Sequence, residues 1–303
     1  MSLCVGLVGC GRWGRHHLAT LQTLQEEGHI ARLVVCDINP GQLNSLRADG
    51  VYNGFERMLE SETLDAVAIV TPPETHAALL HLALAHELPA LVEKPFTDDH
   101  GKTVETFRAF PTTAVVAVGY LLRHHAGLLR LKTMLENDAL GAVHGVRYVR
   151  RTRRSKPKDS DPITTLAVHG LDLVTWLFQS PLRTFERVEI ERDERAATVF
   201  LSNGSGQHAE VDVAWEATAE QRLVEVTGDQ GSVSLDFGTG AFAHRDVDGE
   251  VVEELEVAGQ PLEAEWRWFL NVAKQGQPCV YPSIDSLLDQ SEWLHHHSPH
   301  RRV

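Results

Sequence analysis

Leu3-Cys4-Val5-Gly6-Leu7-Val8-Gly9-Cys10-Gly11-Arg12-Trp13-Gly14 decides how the rest of the chain is read. A β-branched apolar run ends in G-x-G-x-x-G, and helical spacing follows from about Arg12 to Gln25, with Leu18, Leu21 and Leu24 on one side. The next apolar run, Arg32–Cys36, ends at Asp37, 23 residues beyond Gly14. Each part has a physical job. Gly9 makes the tight turn, Gly11 lets main chain approach a pyrophosphate, and Gly14 lets the helix lie close on the strand. Arg12 and Trp13 then sit at a helix N-terminus, whose free N–H groups and positive dipole end suit phosphate. Asp37 is placed to hydrogen-bond ribose hydroxyls, and its charge favours NAD over NADP.

The alternation continues outward. Ala66–Val70 runs into Thr71-Pro72-Pro73, and Glu74–Glu87 has a strong helical pattern. Pro89–Val92 and Ala114–Val118 read as strands with a helix at about 100–109 between them. Continuous apolar strands alternating with helices indicate an α/β unit, a doubly wound parallel sheet covered on both faces. Beyond Tyr120 the pattern changes. Residues 128–135 and 164–178 read as helices, and 184–257 reads as strands separated by Ser-Asn-Gly, Thr-Gly-Asp and Asp-Gly-Glu turns. Helices at about 262–275 and 283–294 close the chain. That predicts a dinucleotide-binding domain at 1–120 and, at 121–303, an α+β domain with a mostly antiparallel open sheet.

Composition narrows the function. The chain has 303 residues and a formal net charge of −14, with 8 basic against 14 acidic groups in residues 1–120. This balance disfavours nucleic acid as the main partner. No apolar run is long enough to span a membrane, and Leu3–Val8 lacks the basic flank of a signal peptide. Cys4, Cys10, Cys36 and Cys279 have no zinc spacing, so no metal site is expected, and they read as reduced thiols of a cytoplasmic protein. One strip stands apart. Residues 147–158 hold seven basic groups and no acid. Either Arg150, Arg151, Arg153 and Arg154 attract an anionic substrate, such as a sugar phosphate, nucleotide-sugar or sugar acid, or the strip is an edge strand protected by charge.

The chemistry lies at the ends of the strands. Ala90–Val92 leads into Glu93-Lys94-Pro95-Phe96, which aims Lys94 at the crevice of Gly9, and Thr71, Pro72 and His76 face the same edge. With Gly119-Tyr120, Arg123 and the helical His169-x-x-Asp172, these motifs make the chain resemble the glucose–fructose oxidoreductase/inositol dehydrogenase family (Gfo/Idh/MocA). The resemblance covers nearly the whole chain. It implies a Rossmann domain followed by an α/β domain whose open sheet builds a homodimer or homotetramer. It also implies NAD(P)-dependent oxidation or reduction of a hydroxyl or keto group on a sugar, cyclitol or sugar derivative. Lys94 would contact the reacting hydroxyl, with a cis Lys94–Pro95 peptide. His169 would act as acid/base or orient substrate, and Asp172, Arg123, Tyr120, Thr165 and Arg153 would line its pocket. Glu93, Thr71, Pro72 and His76 would face the cofactor.

General chemistry agrees, because alcohol oxidation needs a group to take the hydroxyl proton, and a desolvated lysine or a histidine can do so. Thr165, Asp172 and His169, spaced i, i+7 and i+4, are expected on one helix face. Thr165 stands where many relatives carry the aspartate of a carboxylate–histidine dyad, which leaves three outcomes open: Lys94 carries more of the proton transfer, His169 only positions substrate, or hydride chemistry is lost. Two other readings stay open: a non-catalytic dinucleotide-binding regulator, and a reductase of C=N or C=C bonds on the same scaffold.

Overall fold

The computed structural model describes residues 2–158, 160–257 and 259–298. In chain order the first elements are β1 (Leu3–Val8), α1 (Arg12–Glu26), β2 (Ile30–Cys36), α2 (Pro40–Leu43), β3 (Gly50–Tyr52), α3 (Phe55–Ser61), β4 (Ala66–Ile69), α4 (Pro73–Ala85), β5 (Ala90–Val92), α5 (His100–Arg108) and β6 (Val115–Val118). Then come α6 (Ala126–Glu136), β7 (Val143–Arg151), α7 (Val168–Phe178), β8 (Arg187–Arg192), β9 (Ala196–Ser202), β10 (His208–Ala214), β11 (Gln221–Gly228), β12 (Gly231–Asp236), β13 (Ala241–Arg245) and β14 (Val251–Glu256). The last are α8 (Pro261–Gln275), β15 (Cys279–Tyr281) and α9 (Ile284–His297). No described helix is long and apolar enough to cross a membrane.

The chain divides into two compact units. One holds the chain up to Tyr120 together with Leu262–Ser291, and the other holds Leu121–Pro261 and the chain from Glu292. The expected assignment of all of 121–303 to the second domain is corrected at residues 262–291. The reason is backbone pairing and burial: β15 pairs in parallel with β6, and Trp266, Phe269 and Leu270 of α8 enter the core formed by β1, β2 and the Leu18, Leu21, Leu24 stripe of α1.

The first unit is a seven-stranded sheet in the order β15-β6-β5-β4-β1-β2-β3, with every pairing parallel. Its central strands are buried on both faces, which is why they read as unbroken apolar runs. Strand order reverses between β1 and β4. Gly9 follows one of these strands and Val70-Thr71 the other, so both loops open at the switch point where such sheets bind ligands.

The second unit is an eight-stranded sheet in the order β14-β13-β12-β11-β7-β10-β9-β8. Only β7 and β10 run parallel, and the other pairings are antiparallel. Helix α7 lies on the β7–β10 pair, and Gly170 makes that possible. A Cβ there would stand 2.4 Å from the Tyr148 ring and 2.7 Å from the Val211 side chain, both buried. The opposite face carries cross-strand ion pairs. β7 is an interior strand, so the reading of its arginines as edge protection is corrected too.

Candidate active site

The glycine loop has the geometry a dinucleotide needs. Gly9 adopts φ +97°, and a Cβ there would meet the Val70 carbonyl oxygen at 2.4 Å. A Cβ at Gly14 would stand 2.0 Å from the Gly9 carbonyl oxygen, so α1 can lie this close only on a glycine. Gly11 is the reverse case, with nothing within 4 Å of where its Cβ would be. Helix α1 begins there with no side-chain cap and no acid in its first turn, which leaves its N–H groups for an anion. Asp37 braces the loop: Oδ2 accepts from the Cys10 amide (2.8 Å) and Oδ1 from the Asn39 amide (2.8 Å). Arg32 forms a two-pronged pair with Glu62 and is thus committed away from a 2′-phosphate. These residues fit a dinucleotide.

The end of β5 is more elaborate than its three-letter motif. Glu93 is buried and accepts from the Trp13 indole (2.7 Å), from His17 Nε2 (3.1 Å) and from the Lys94 amide (3.1 Å). Burial alone would raise its pKa; its hydrogen-bonding and electrostatic interaction with His17, then the charge of Lys94 and the hydrogen bond from Trp13, bring it below the ordinary carboxylate value. Lys94 is half-buried, and desolvation lowers its amine pKa against the opposing pull of Glu93. The Lys94–Pro95 peptide is cis. His76 ties two loops together: Nε2 lies 2.8 Å from the Thr71 carbonyl, and Nδ1 lies 3.1 and 3.2 Å from the Pro95 and Phe96 carbonyls. The imidazole of His76 is thus spent on main chain. Tyr120 is 2% exposed, and its hydroxyl donates to Gln290, in the part of α9 that belongs to the first unit.

In the second unit, Arg123 and Asp172 hold each other. Nε and Nη2 of Arg123 donate to the two carboxylate oxygens at 2.9 and 2.8 Å, and both side chains are buried. The guanidinium also lies 5.7 Å over the Trp176 ring. Burial pushes the Asp172 carboxyl up, and the guanidinium opposes it. His124 beside them is pushed down to about 4, by burial first and by the charge of Arg123 second.

Thr165 differs from expectation. Residues Ile163–Ala167 form a π-helical turn, and the α-helix starts only at Val168. The four-residue spacing from Thr165 to His169 thus spans the junction between the π turn and the α-helix. The Thr165 hydroxyl donates to the Asp161 carbonyl (2.6 Å) and accepts from the Trp215 indole (3.3 Å), so it serves the scaffold. His169 is half-buried near the start of α7.

The basic strip is largely matched within the sheet. Arg147 pairs with Glu210 and Glu225, Arg150 with Glu220, and Arg151 with Asp212. Arg153 donates from Nε to the Thr218 carbonyl. The arginines of β7 are therefore cross-strand partners of acids that lie 61 to 78 residues away in sequence.

Residues 3–120 match the family described as "Oxidoreductase family, NAD-binding Rossmann fold", and residues 128–234 match the GFO/IDH/MocA C-terminal domain. The chain belongs to the Gfo/Idh/MocA oxidoreductase family. Among its relatives, the inositol 2-dehydrogenase of Acidiphilium cryptum is 28% identical over 78% of this chain and 74% of its own length. The inositol 2-dehydrogenase/D-chiro-inositol 3-dehydrogenase of Lacticaseibacillus casei is 24% identical over 93% and 88%. The solved UDP-N-acetylglucosamine 3-dehydrogenase of Acidithiobacillus ferrooxidans shares the fold, with a TM-score of 0.78, 22% identity, and coverage of 97% of this chain and 95% of that one.

Within this Gfo/Idh/MocA chain, sequence reasoning missed the residues behind Glu93. Trp266 of α8 donates from its indole to His17 Nδ1 at 3.1 Å, and Glu265 lies buried beside them. His17 follows Gly14 by three residues on α1, which was a local clue. Nothing local joins it to a tryptophan 249 residues later.

Proposed function

We propose that the protein is an NAD-dependent dehydrogenase that moves a hydride between nicotinamide and a hydroxyl or keto carbon of a cyclitol, sugar or sugar derivative. The observation that carries this reading is Lys94: an amine with a lowered pKa, at the carboxyl end of β5, beside a carboxylate fixed by three donors. The relatives named inositol 2-dehydrogenase support a polyol as substrate. NAD, when bound, accepts the hydride. Gly9, Gly11, Arg12, Trp13 and Gly14 would hold its pyrophosphate end, Asp37 its adenosine ribose, and the Thr71-Pro72 loop, braced by His76, the reactive half.

Lys94 takes the hydroxyl proton in oxidation and returns it in reduction. His169 orients the substrate or shares the proton. With threonine in place of the dyad carboxylate, and its hydroxyl already engaged, Lys94 is the principal acid–base group. Asp172 and Arg123 shape the pocket wall through their mutual pair. A neutral polyol suits the site better than an anion, because Arg147, Arg150 and Arg151 are already matched by acids. The first unit would bind the cofactor. The second would bind substrate and join copies of the chain through its sheet. The test is formation of reduced nicotinamide from NAD with a panel of inositols and sugars. Turnover of a neutral polyol is the expected result, and NAD binding without turnover of any alcohol would overturn the reading.

A further inference from the structure

We propose that Trp266 is a positioning residue for Lys94, acting through His17 and Glu93. The inference rests on the reading of Lys94 as the proton-transfer group. An indole nitrogen can only donate. Trp266 Nε1 lies 3.1 Å from His17 Nδ1, so Nδ1 is the acceptor and carries no proton. The one N–H of the ring is then on Nε2, and it donates to Glu93 Oε1 at 3.1 Å. The ring is 0% exposed, with the Trp13 and Trp266 rings edge-on to it at 5.6 and 5.8 Å. Trp266 therefore selects both the tautomer and the neutral state of His17.

The neutral state matters because of what Glu93 does. Its carboxylate is solvated by three N–H groups, two from neutral side chains and one from main chain, so its charge is not cancelled by its hydrogen-bond partners. That charge acts on Lys94, the next residue, and raises an amine pKa that burial lowers. An imidazolium at position 17 would form an ion pair with Glu93 and remove this influence. The ionisable groups facing Glu93 are His17 from α1, Lys94 on its own loop and Glu265 from α8. Glu265 is 1% exposed, and neither of its carboxyl oxygens has a hydrogen-bond partner. Burial first, and the charge of Glu93 second, push its carboxyl well above the ordinary carboxylate range. Of the two carboxyls in the cluster, Glu93 is the one held down as the anion and Glu265 the one pushed toward the neutral acid.

Helix α8 is the element that closes the cluster, which gives a function to its return into the first unit. Trp266→Phe keeps the ring and deletes only the donor. His17 Nδ1 can then be protonated against Glu93, and Lys94 loses the anion that raises its pKa. Alcohol oxidation requires the neutral amine, so the acid limb of kcat/KM moves to lower pH, by about one unit. In the His17→Gln/Trp266→Phe double variant, position 17 cannot become a cation, so the limb returns to the wild-type pH.

The companion measurement is nitrogen NMR of His17, which does not depend on turnover. Wild type is expected to show the neutral Nε2–H tautomer across the working pH range, and Trp266→Phe is expected to show a histidine that titrates. A uniform loss of rate with an unmoved limb would mean a packing defect and would overturn the proposal. So would a doubly protonated or Nδ1–H His17 in the wild type. Should no alcohol be oxidised at all, the Lys94 reading fails on that count, while the NMR comparison still decides the role of Trp266.

Discussion

Glu93, at the end of β5, and Asp172, on α7, are both buried carboxylates, 5% and 3% exposed, and the molecule treats them oppositely. Asp172 faces a guanidinium that grips both of its oxygens, so its charge is cancelled where it stands. Glu93 is solvated by indole, imidazole and amide N–H groups, none of which cancels its charge. A carboxylate held by neutral donors projects its field onto a neighbour, here Lys94. A carboxylate clamped by arginine becomes scaffold. Glycines repeat the contrast. The space in front of Gly11 is open, whereas the space in front of Gly170 is filled by Tyr148 and Val211.

The sharpest way to break this comparison is to remove the clamp. Asp172→Ala leaves the Arg123 guanidinium buried and unmatched, which should cost about 3–5 kcal/mol of stability in denaturant unfolding. NAD affinity, measured calorimetrically on the protein that remains folded, should hold, because the pair lies in the other unit from the glycine loop. Next come the two glycines. Gly11→Ala should weaken NAD binding at least tenfold while shifting the Tm little, because the new methyl meets open space that the pyrophosphate needs. Gly170→Ala should do the reverse, losing about 2–3 kcal/mol of stability through overpacking against Tyr148 and Val211 while leaving NAD affinity unchanged.

The glycine loop, Asp37 and the Lys94 strand end were legible in the sequence for a definite reason. Their chemistry belongs to main chain and to residues close in sequence, where spacing carries geometry. The parallel sheet was legible for the same reason, with two exceptions. β15 is only three residues long and pairs with a strand over 160 positions earlier, and the sparse apolar content of Gly50–Tyr52 hid β3. The pairing of Arg123 with Asp172 was not legible, since two residues suited to substrate were equally suited to each other. Nor was the matching of the β7 arginines, which depends on strand register across the sheet. The π turn at Ile163–Ala167 was hidden because its apolar spacing serves an α-helix equally well.

Smaller effects sharpen the Glu93 half of the comparison. Glu93→Gln removes the charge that raises the Lys94 pKa. Desolvation then prevails, that pKa falls further, and the acid limb of alcohol oxidation should move to lower pH by about one unit. Glu265→Gln tests the neutral partner through stability. A carboxyl whose folded pKa is raised contributes most below its unfolded value, near 4.5, and that contribution is lost as pH rises toward the folded value. The amide escapes this cost, so the Tm of Glu265→Gln relative to wild type should rise by about 2–4 °C between pH 4 and pH 8. Least of all, Arg153→Ala together with Arg154→Ala should leave turnover of a neutral polyol within about twofold, as for other surface changes. A selective loss on an anionic sugar in that variant would restore the strip as a substrate site.

The most direct test of the central claim compares wild type with Lys94→Ala for NAD-dependent oxidation of inositols and sugars, with NAD affinity measured alongside. Wild type should reduce NAD with at least one polyol. Lys94→Ala should bind NAD normally yet lose about 10²–10⁴-fold in rate, the usual share of a general acid–base group. Turnover undiminished in Lys94→Ala, or a wild type that binds NAD and oxidises no alcohol, would contradict the account.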